Sequence, residues 1–446
     1  MLDISQDPTI HPTQVFSTLA RRFHVAMIIL IMSVMLPKLG LGQDGSLTSG
    51  NVVDTDRLSQ VDSVLQRYVE EERIAGAVGL VMHDGEIVYE HAAGWADREA
   101  RQRMETDAIF RVASQSKAIT STAILMLVEE GKINLEDPVS RWMPTFKETT
   151  VAVETDSGRT ILPARRAITI KDLLTHTSGI SYGGDPLIAS LYKEKGLGYG
   201  ETYGWYFADD KEPICDSMDK LGTLPFVAQP GSDWVYGYNT DILGCVVERA
   251  SGLPLDEFFR KRITGPLGMD DTHFFLPPEK EDRLAAVYTP REGGEGVVRA
   301  VEGPKGQGHY VDGPRRSFSG GAGLLSTARD YARFLEMIRN GGALDGKRYL
   351  SPHTVAVMTS NQVGNLFSDD GMGFGLGFET TERMGANGFT SVGTFGWSGA
   401  YGSDYEVDPK EKLVTVLMIQ VVPYWGSGIR ESFESAVYQA LVPAEQ

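Results

Sequence analysis

Phe110-Arg111-Val112-Ala113-Ser114-Gln115-Ser116-Lys117, running on into Ala118-Ile119-Thr120-Ser121-Thr122-Ala123-Ile124-Leu125-Met126-Leu127, is the stretch on which fold and chemistry turn. Its apolar run predicts a buried helix beginning near Ser114. Residues three apart share a helix face, about 5–6 Å apart at Cβ, so Lys117 can reach the Ser114 hydroxyl. The helix N-terminus adds a positive field that favours negative charge developing on the serine oxygen. A lysine buried at this end is costly unless it loses its proton or finds partners, and that cost makes it a candidate general base. The competing reading is that Ser114 is a plain N-cap, because S-x-x-K alone is common by chance.

Outward from this helix, the two ends of the chain look alike. Leu58, Val61, Leu65 and Tyr68 recur at helical spacing behind a cap at Asp54 or Asp56. Ala77 to Met82 and Glu86 to His91 flank His83-Asp84-Gly85, a hairpin signal because glycine tolerates the positive φ of a tight turn. Near the C-terminus, Tyr401 to Val407 and Leu413 to Val422 read as strands joined by Asp408-Pro409-Lys410-Glu411, with a helix over about 428–441. Between these ends, residues 140–320 carry short helical patterns, many Gly and Pro residues and long polar connections. The pattern predicts a split α/β sheet domain with a helical insertion, and an active site between the two.

Two further segments carry candidate chemistry. In Pro230-Gly231-Ser232-Asp233-Trp234-Val235-Tyr236-Gly237-Tyr238-Asn239, a tyrosine held near Ser114 and Lys117 could pass a proton between nucleophile and leaving group. Phe395-Gly396-Trp397-Ser398-Gly399-Ala400 precedes a strand. Its glycines would let a substrate approach the backbone, and an N–H there, with that of Ser114, would make a two-donor oxyanion hole. Taken singly, Tyr236 reads as a half-buried aromatic and the second segment as a glycine turn. Gly179-Ile180-Ser181-Tyr182-Gly183 fits G-x-S-x-G, but that motif works on a strand–turn–helix. Here a capped helix (168–174) precedes it and Gly183-Gly184-Asp185-Pro186 follows, so it reads as a loop.

The ordered set Ser114-x-x-Lys117, Tyr236 and Trp397-Ser398-Gly399 resembles the class C β-lactamase and penicillin-binding-protein-like serine hydrolases, particularly their family VIII carboxylesterase branch. Leu173-Leu174-Thr175-His176-Thr177-Ser178-Gly179, Gly265-Pro266-Leu267-Gly268-Met269-Asp270-Asp271-Thr272 and Gly320-Gly321-Ala322-Gly323-Leu324 are similar to the family as well, as is the run from Leu127 to Val139. The resemblance covers about residues 57–441. It implies an α/β, β-lactamase/DD-peptidase-like fold: an antiparallel sheet flanked by helices, plus a mostly helical inserted subdomain. It also implies roles. Lys117 and Tyr236 would form a hydrogen-bonded pair that takes the Ser114 proton, and the N–H groups of Ser114 and Ala400 would hold the oxyanion. Tyr236 would protonate the leaving group, and Trp397, Ser398 and Gly399 would line the substrate. No cofactor is implied.

Two departures from the family pattern bear on substrate. Many members have Y-x-N, whereas here Tyr236-Gly237-Tyr238 stands at that place and Asn239 comes one residue late, leaving Tyr238-Asn239 as an alternative register. Trp397 stands where β-lactamases and D-Ala-D-Ala peptidases usually carry Lys, sometimes His. Losing such a charge-assisted partner removes about 1.5–3 kcal/mol for an anionic substrate. The expectation is therefore a serine carboxylesterase acting on small neutral esters. The alternatives are a β-lactamase or D-Ala-D-Ala-type peptidase or amidase, and a non-catalytic penicillin-binding-like cell-wall module.

Composition narrows partners. The 446 residues carry a formal net charge of -18, a surface that repels nucleic acid and anionic lipid. The eight histidines are scattered without a close ligand pair such as H-E-x-x-H, so no metal is expected. Arg21-Arg22, the apolar run Val25 to Leu36 and the small residues before Gln43 read as an export signal over 1–42. Twelve apolar residues fall short of the about 20 that span a bilayer. This predicts a periplasmic or secreted protein with no stable membrane span once the signal is removed. Residues 43–56 read as a flexible lead-in and 57–446 as the hydrolase domain. Cys245 sits in an apolar helical stretch and reads as a buried thiol, although a pair with Cys215 is open in an oxidising compartment. Oligomeric state is not legible.

Overall fold

The computed structural model describes residues 51–156, 158–198, 207–293, 296–301, 308–424 and 427–444. The export-signal reading and most of the lead-in fall outside these residues. The lead-in ends earlier than expected: Asn51–Val53 pairs antiparallel with Leu441–Pro443, tying the two ends of the domain together.

Eight antiparallel strands form the main sheet. In chain order they are β1 (Gly76–His83), β2 (Glu86–Asp97), β3 (Gln102–Arg103), β4 (Met372–Phe374), β5 (Glu379–Thr381), β6 (Phe395–Ser398), β7 (Asp404–Asp408) and β8 (Leu413–Ile419). Their spatial order is β4-β5-β6-β7-β8-β1-β2-β3. The sheet is thus closed by β8 pairing with β1, joining the C-terminal strands to the N-terminal hairpin (Leu413 opposite His83, Ile419 opposite Ala77). The hairpin turns at Asp84-Gly85, both with positive φ (51° and 90°), as the sequence predicts.

Strand alternation explains why β1 and β8 read as unbroken apolar runs: both faces are covered. Val78, Leu80, Met82, Val414, Val416 and Met418 enter the larger core with helices α2 (Ser116–Glu129) and α6 (Ala328–Arg339). Ala77, Val81, Leu413, Leu417 and Ile419 face α1 (Thr55–Glu70) and α7 (Ile429–Tyr438) through Leu58, Val61, Leu65, Phe433 and Val437. Asp54 caps α1, accepting from the N–H groups of Asp56 and Arg57. α2 is buried on every side from Ser116 to Leu127, the mark of a central core helix.

The insertion carries α3 (Ile170–Leu174), α4 (Ile214–Leu221) and α5 (Asn239–Ser251). It is not purely helical. Thr150–Thr155 pairs antiparallel with Gly158–Pro163 and parallel with Pro225–Phe226, a small sheet that the helical reading missed. Cys215 on α4 and Cys245 on α5 form a disulfide, in place of the buried thiol expected. Closing a loop of this length restricts the unfolded chain by about 3–4 kcal/mol in the chain-entropy account. Among the described residues no helix is long and apolar enough to cross a membrane.

Candidate active site

Ser114 sits on a single 3-10 turn, Ala113–Gln115, immediately before α2, so the α-helix begins two residues later than the sequence predicts. Ala113 is held at φ 45°, a left-handed conformation that a non-glycine residue adopts only when its surroundings impose it. Val112 supplies part of that constraint by pairing its N–H with the Leu324 carbonyl. The predicted spacing holds. Lys117 Nζ donates to Ser114 Oγ at 3.2 Å, and the two side chains are buried at 5% and 2% exposure.

Lys117 makes two further hydrogen bonds, to the Tyr182 hydroxyl at 3.1 Å and to the Gly321 carbonyl at 2.8 Å. The Gly321 peptide region thereby links Lys117 to Asp241, whose carboxylate accepts from Gly321 N–H at 3.0 Å and from Ser319 Oγ at 2.5 Å. Burial raises the Asp241 carboxyl above the ordinary range, while the Lys117 charge and these two donors pull it back down. Asp241 lies in the first turn of α5, joined to the buried lysine through the Gly321 peptide.

Two tyrosines flank this amine. No hydrogen bond joins Lys117 to the Tyr236 hydroxyl; Nζ lies 4.7 Å from the Tyr236 ring centroid. The Tyr236 hydroxyl instead accepts from Trp397 Nε1 at 3.1 Å. Tyr182 and Tyr236 stand edge to face with centroids 5.6 Å apart. Gly237 makes that possible, because a Cβ there would fall 2.3 Å from the Ile180 carbonyl oxygen. Tyr238, the alternative register, is buried at 1% exposure, its hydroxyl accepting from Gly198 N–H. The geometry brings Tyr236 to Lys117 and leaves Tyr238 behind it.

Tyr182 lies in the G-x-S-x-G segment, which the structure places in a loop after α3, not on a strand–turn–helix. Ser181 Oγ accepts the Gly183 N–H within that loop. The serine is incidental, and the residue beside it reaches the lysine. Asn239 brackets the two tyrosine loops: its Nδ2 group donates to the Ile180 and Val235 carbonyls and pairs with His176 Nδ1, and its Oδ1 accepts from Ser178. Burial, then the Lys117 charge, holds His176 well below its usual pKa, so the ring is neutral. The sequence signal for these partners was the Leu173 to Gly179 stretch, legible as a family pattern but not as a bracket.

At the expected oxyanion position, β6 ends in Ser398, which is half-buried, and Gly399 then passes against the Ser114 turn. A Cβ at Gly399 would stand 2.7 Å from the Val112 carbonyl oxygen. Ser114 N–H is too near the start of its turn to have an intrahelical acceptor, and neither it nor Ala400 N–H donates to any described residue. Trp397, Trp234, Tyr236 and Phe374 form one aromatic wall, with Trp234 and Tyr236 stacked at 5.7 Å and Phe374 edge-on to Trp397 at 5.4 Å. The single Trp397 N–H is engaged by Tyr236, so its remaining surface is apolar. A separate cavity of about 330 Å³ between Phe259, Phe274 and Phe318 contains none of these residues.

The Beta-lactamase family profile matches residues 61–431. Esterase EstB of Burkholderia gladioli is 34% identical over 385 residues, 82% of this chain and 91% of its own. Lovastatin esterase of Penicillium rubens is 29% identical over 408 residues, 85% and 98% of the two chains. The solved structure of EstCE1, described as a hydrolase with promiscuous acyltransferase activity, superimposes with a TM-score of 0.72 at 27% identity, over 86% of this chain and 99% of that one. With the fold, the ordered motifs and these relatives in agreement, the chain belongs to the Beta-lactamase family and is a serine hydrolase of that superfamily.

Proposed function

We propose that the protein hydrolyses small neutral carboxylic esters through an acyl-enzyme on Ser114. The observation that carries this reading is Trp397. It occupies the place of the family's carboxylate-binding cation, spends its N–H on Tyr236 and turns an apolar face outward. Such a wall offers an anionic substrate nothing for its desolvated charge, and it packs well against a neutral acyl or alkyl group. The printed names of the EstB and lovastatin esterase relatives support the same reading.

In the first half-reaction Lys117 acts as the free amine, with the Ser114 hydroxyl donating to Nζ: Ser114 Oγ attacks the acyl carbon and its proton passes to Nζ, 3.2 Å away. The N–H groups of Ser114 and Ala400 hold the oxyanion. As the tetrahedral species collapses, the C–O bond to the alcohol breaks and the leaving oxygen takes a proton. Tyr182 is buried at 6% exposure, whereas Tyr236 is half-buried and open to a substrate, so Tyr236 delivers that proton. The proton taken from Ser114 then passes from Lys117 back to Tyr236, restoring both, while Tyr182, hydrogen-bonded to Nζ, orients Lys117. Water then attacks the acyl carbon, its proton passing to Lys117 and on to Ser114 Oγ as the acyl–serine bond breaks, which releases the acid and restores Ser114.

The test compares p-nitrophenyl butyrate with nitrocefin and treats the protein with a fluorophosphonate. The expected result is much the higher kcat/KM on the ester, with mass added at Ser114. Preferred turnover of nitrocefin would favour the β-lactamase reading. Absence of a Ser114 adduct, with no turnover of either substrate, would favour a cell-wall-binding module.

A further inference from the structure

We propose that Arg430, on α7 and on the far side of the sheet from Lys117, is the positioning residue of the oxyanion hole, fixing the Gly399–Ala400 peptide; this rests on the serine-ester reading above. Arg430 Nη2 donates to the Gly399 carbonyl and to the Ser403 carbonyl, each at 3.2 Å, and Nε donates to the Gly402 carbonyl at 2.9 Å. One guanidinium therefore gathers three carbonyls of the five-residue turn that follows β6. The guanidinium lies over the Tyr424 ring, Cζ 4.2 Å from the centroid, and faces Asp404 with Nε 3.8 Å from Oδ1.

The consequence for chemistry follows from peptide geometry. A trans peptide is planar, with its C=O and N–H directed oppositely. The Gly399 carbonyl and the Ala400 N–H belong to the same peptide. A donor that fixes the carbonyl from the α7 side aims the N–H toward the Ser114 side. Gly402 N–H also donates to the Gly399 carbonyl, at 3.0 Å, so that oxygen has two donors while its N–H partner donates to no described residue. Hydrogen bonds in series polarise one another, so each donor on the Gly399 carbonyl also strengthens Ala400 N–H as a donor to a developing oxyanion. The rest of the turn is pinned independently. Gly399 N–H donates to the Ser403 carbonyl at 2.8 Å, and Val421 N–H donates to the Tyr401 carbonyl at 2.8 Å. Arg430 thus acts on the orientation of one peptide within a turn whose ends are already fixed.

The decisive variant is Arg430→Lys, which keeps the charge facing Asp404 but replaces a planar fork by a single ammonium that cannot span three carbonyls. With p-nitrophenyl butyrate, and with active sites counted by fluorophosphonate titration, kcat per site should fall by about tenfold or more while KM changes by less than about threefold. Butaneboronic acid forms a tetrahedral adduct with the serine, so its inhibition constant should rise by about the factor lost in kcat. Arg430→Gln, which removes the charge as well, should show at least the same loss. A purely structural role would instead lower the titratable fraction and leave kcat per site and boronate affinity unchanged. That outcome, or wild-type kcat in Arg430→Lys, overturns the proposal, and Arg430→Lys decides it should Arg430→Gln not fold. Turnover retained in Ser114→Ala would overturn the esterase reading itself. A dead Ser114→Ala beside an unimpaired Arg430→Lys would overturn the Arg430 proposal alone.

Discussion

Lys117 distributes its three hydrogen bonds among the Ser114 hydroxyl, a buried phenol and a carbonyl, and it leaves the more accessible phenol to Trp397. That division makes the two tyrosines separable by leaving group. A p-nitrophenolate departs without a proton, whereas an ethoxide needs one. Tyr236→Phe should therefore cost about 10²–10⁴ in kcat on ethyl butyrate and far less on p-nitrophenyl butyrate. Tyr182→Phe disturbs the amine that serves both substrates and should slow both by similar factors. Equal slowing of the two esters by Tyr236→Phe would remove it from the acid role. Tyr236 was legible from its place in the ordered motif set between Ser114-x-x-Lys117 and Trp397-Ser398-Gly399. Tyr182 was not, because nothing in a local pattern says that a loop 65 residues beyond Lys117 folds back onto it.

At the scale of elements, the site is a meeting of the α2 turn, the β6 end and two insertion loops, and close backbone approach decides whether they meet. Gly399→Ala should test this directly. Its Cβ would stand 2.7 Å from the Val112 carbonyl oxygen, a backbone atom unable to swing aside, so β6 and the nucleophile turn would separate. Losing one oxyanion donor costs about 10²–10³ in kcat. The expected outcome is a loss in that range with far-UV circular dichroism and fluorophosphonate labelling of Ser114 retained at high reagent concentration. Near-wild-type kcat would mean that Ala400 N–H is not a donor. The sequence made α2 and β8 readable as long apolar runs buried on all sides, and the 83–86 hairpin readable through its Asp84-Gly85 turn. The small sheet of the insertion was hidden because Gly158–Pro163 is largely exposed and Pro225–Phe226 is only two residues long.

Across the whole molecule, the least legible feature is the face of the sheet beneath α7. Period-two alternation in Asp404-Tyr405-Glu406-Val407 buries Tyr405 and Val407 and would send the two acids to water. Glu379 and Glu406 flank Gly396 from the strands on either side, and Asp404 lies two residues from Glu406 on the same face. Glu434, on α7, faces the same group; Arg430 Nε lies 3.8 Å from Asp404, Asn387 donates to Glu406, and the Phe389 N–H donates to Glu434. Burial pushes Asp404 up to about 7, with Arg430 opposing and Glu434 and Glu431 adding to the shift. Glu379 is pushed up to about 7 by burial and Asp404, again against Arg430. Glu406 is raised well above its usual range by burial and by Glu434 and Asp404. A carboxyl raised on folding stays protonated in the native state while the unfolded chain has already released its proton. Between the ordinary carboxylate range near 4 and a pH of about 7, the native state binds more protons than the unfolded state, and this group's contribution to stability falls as pH rises. The double variant Asp404→Asn, Glu379→Gln removes two of these titrations and keeps Arg430. Its melting temperature, measured against the parent from pH 4.5 to 7.5, should gain progressively on the parent as pH increases. A difference between the two proteins that stays constant over that range, or narrows with rising pH, would show that these carboxyls titrate as ordinary surface groups and that α7 does not seal them.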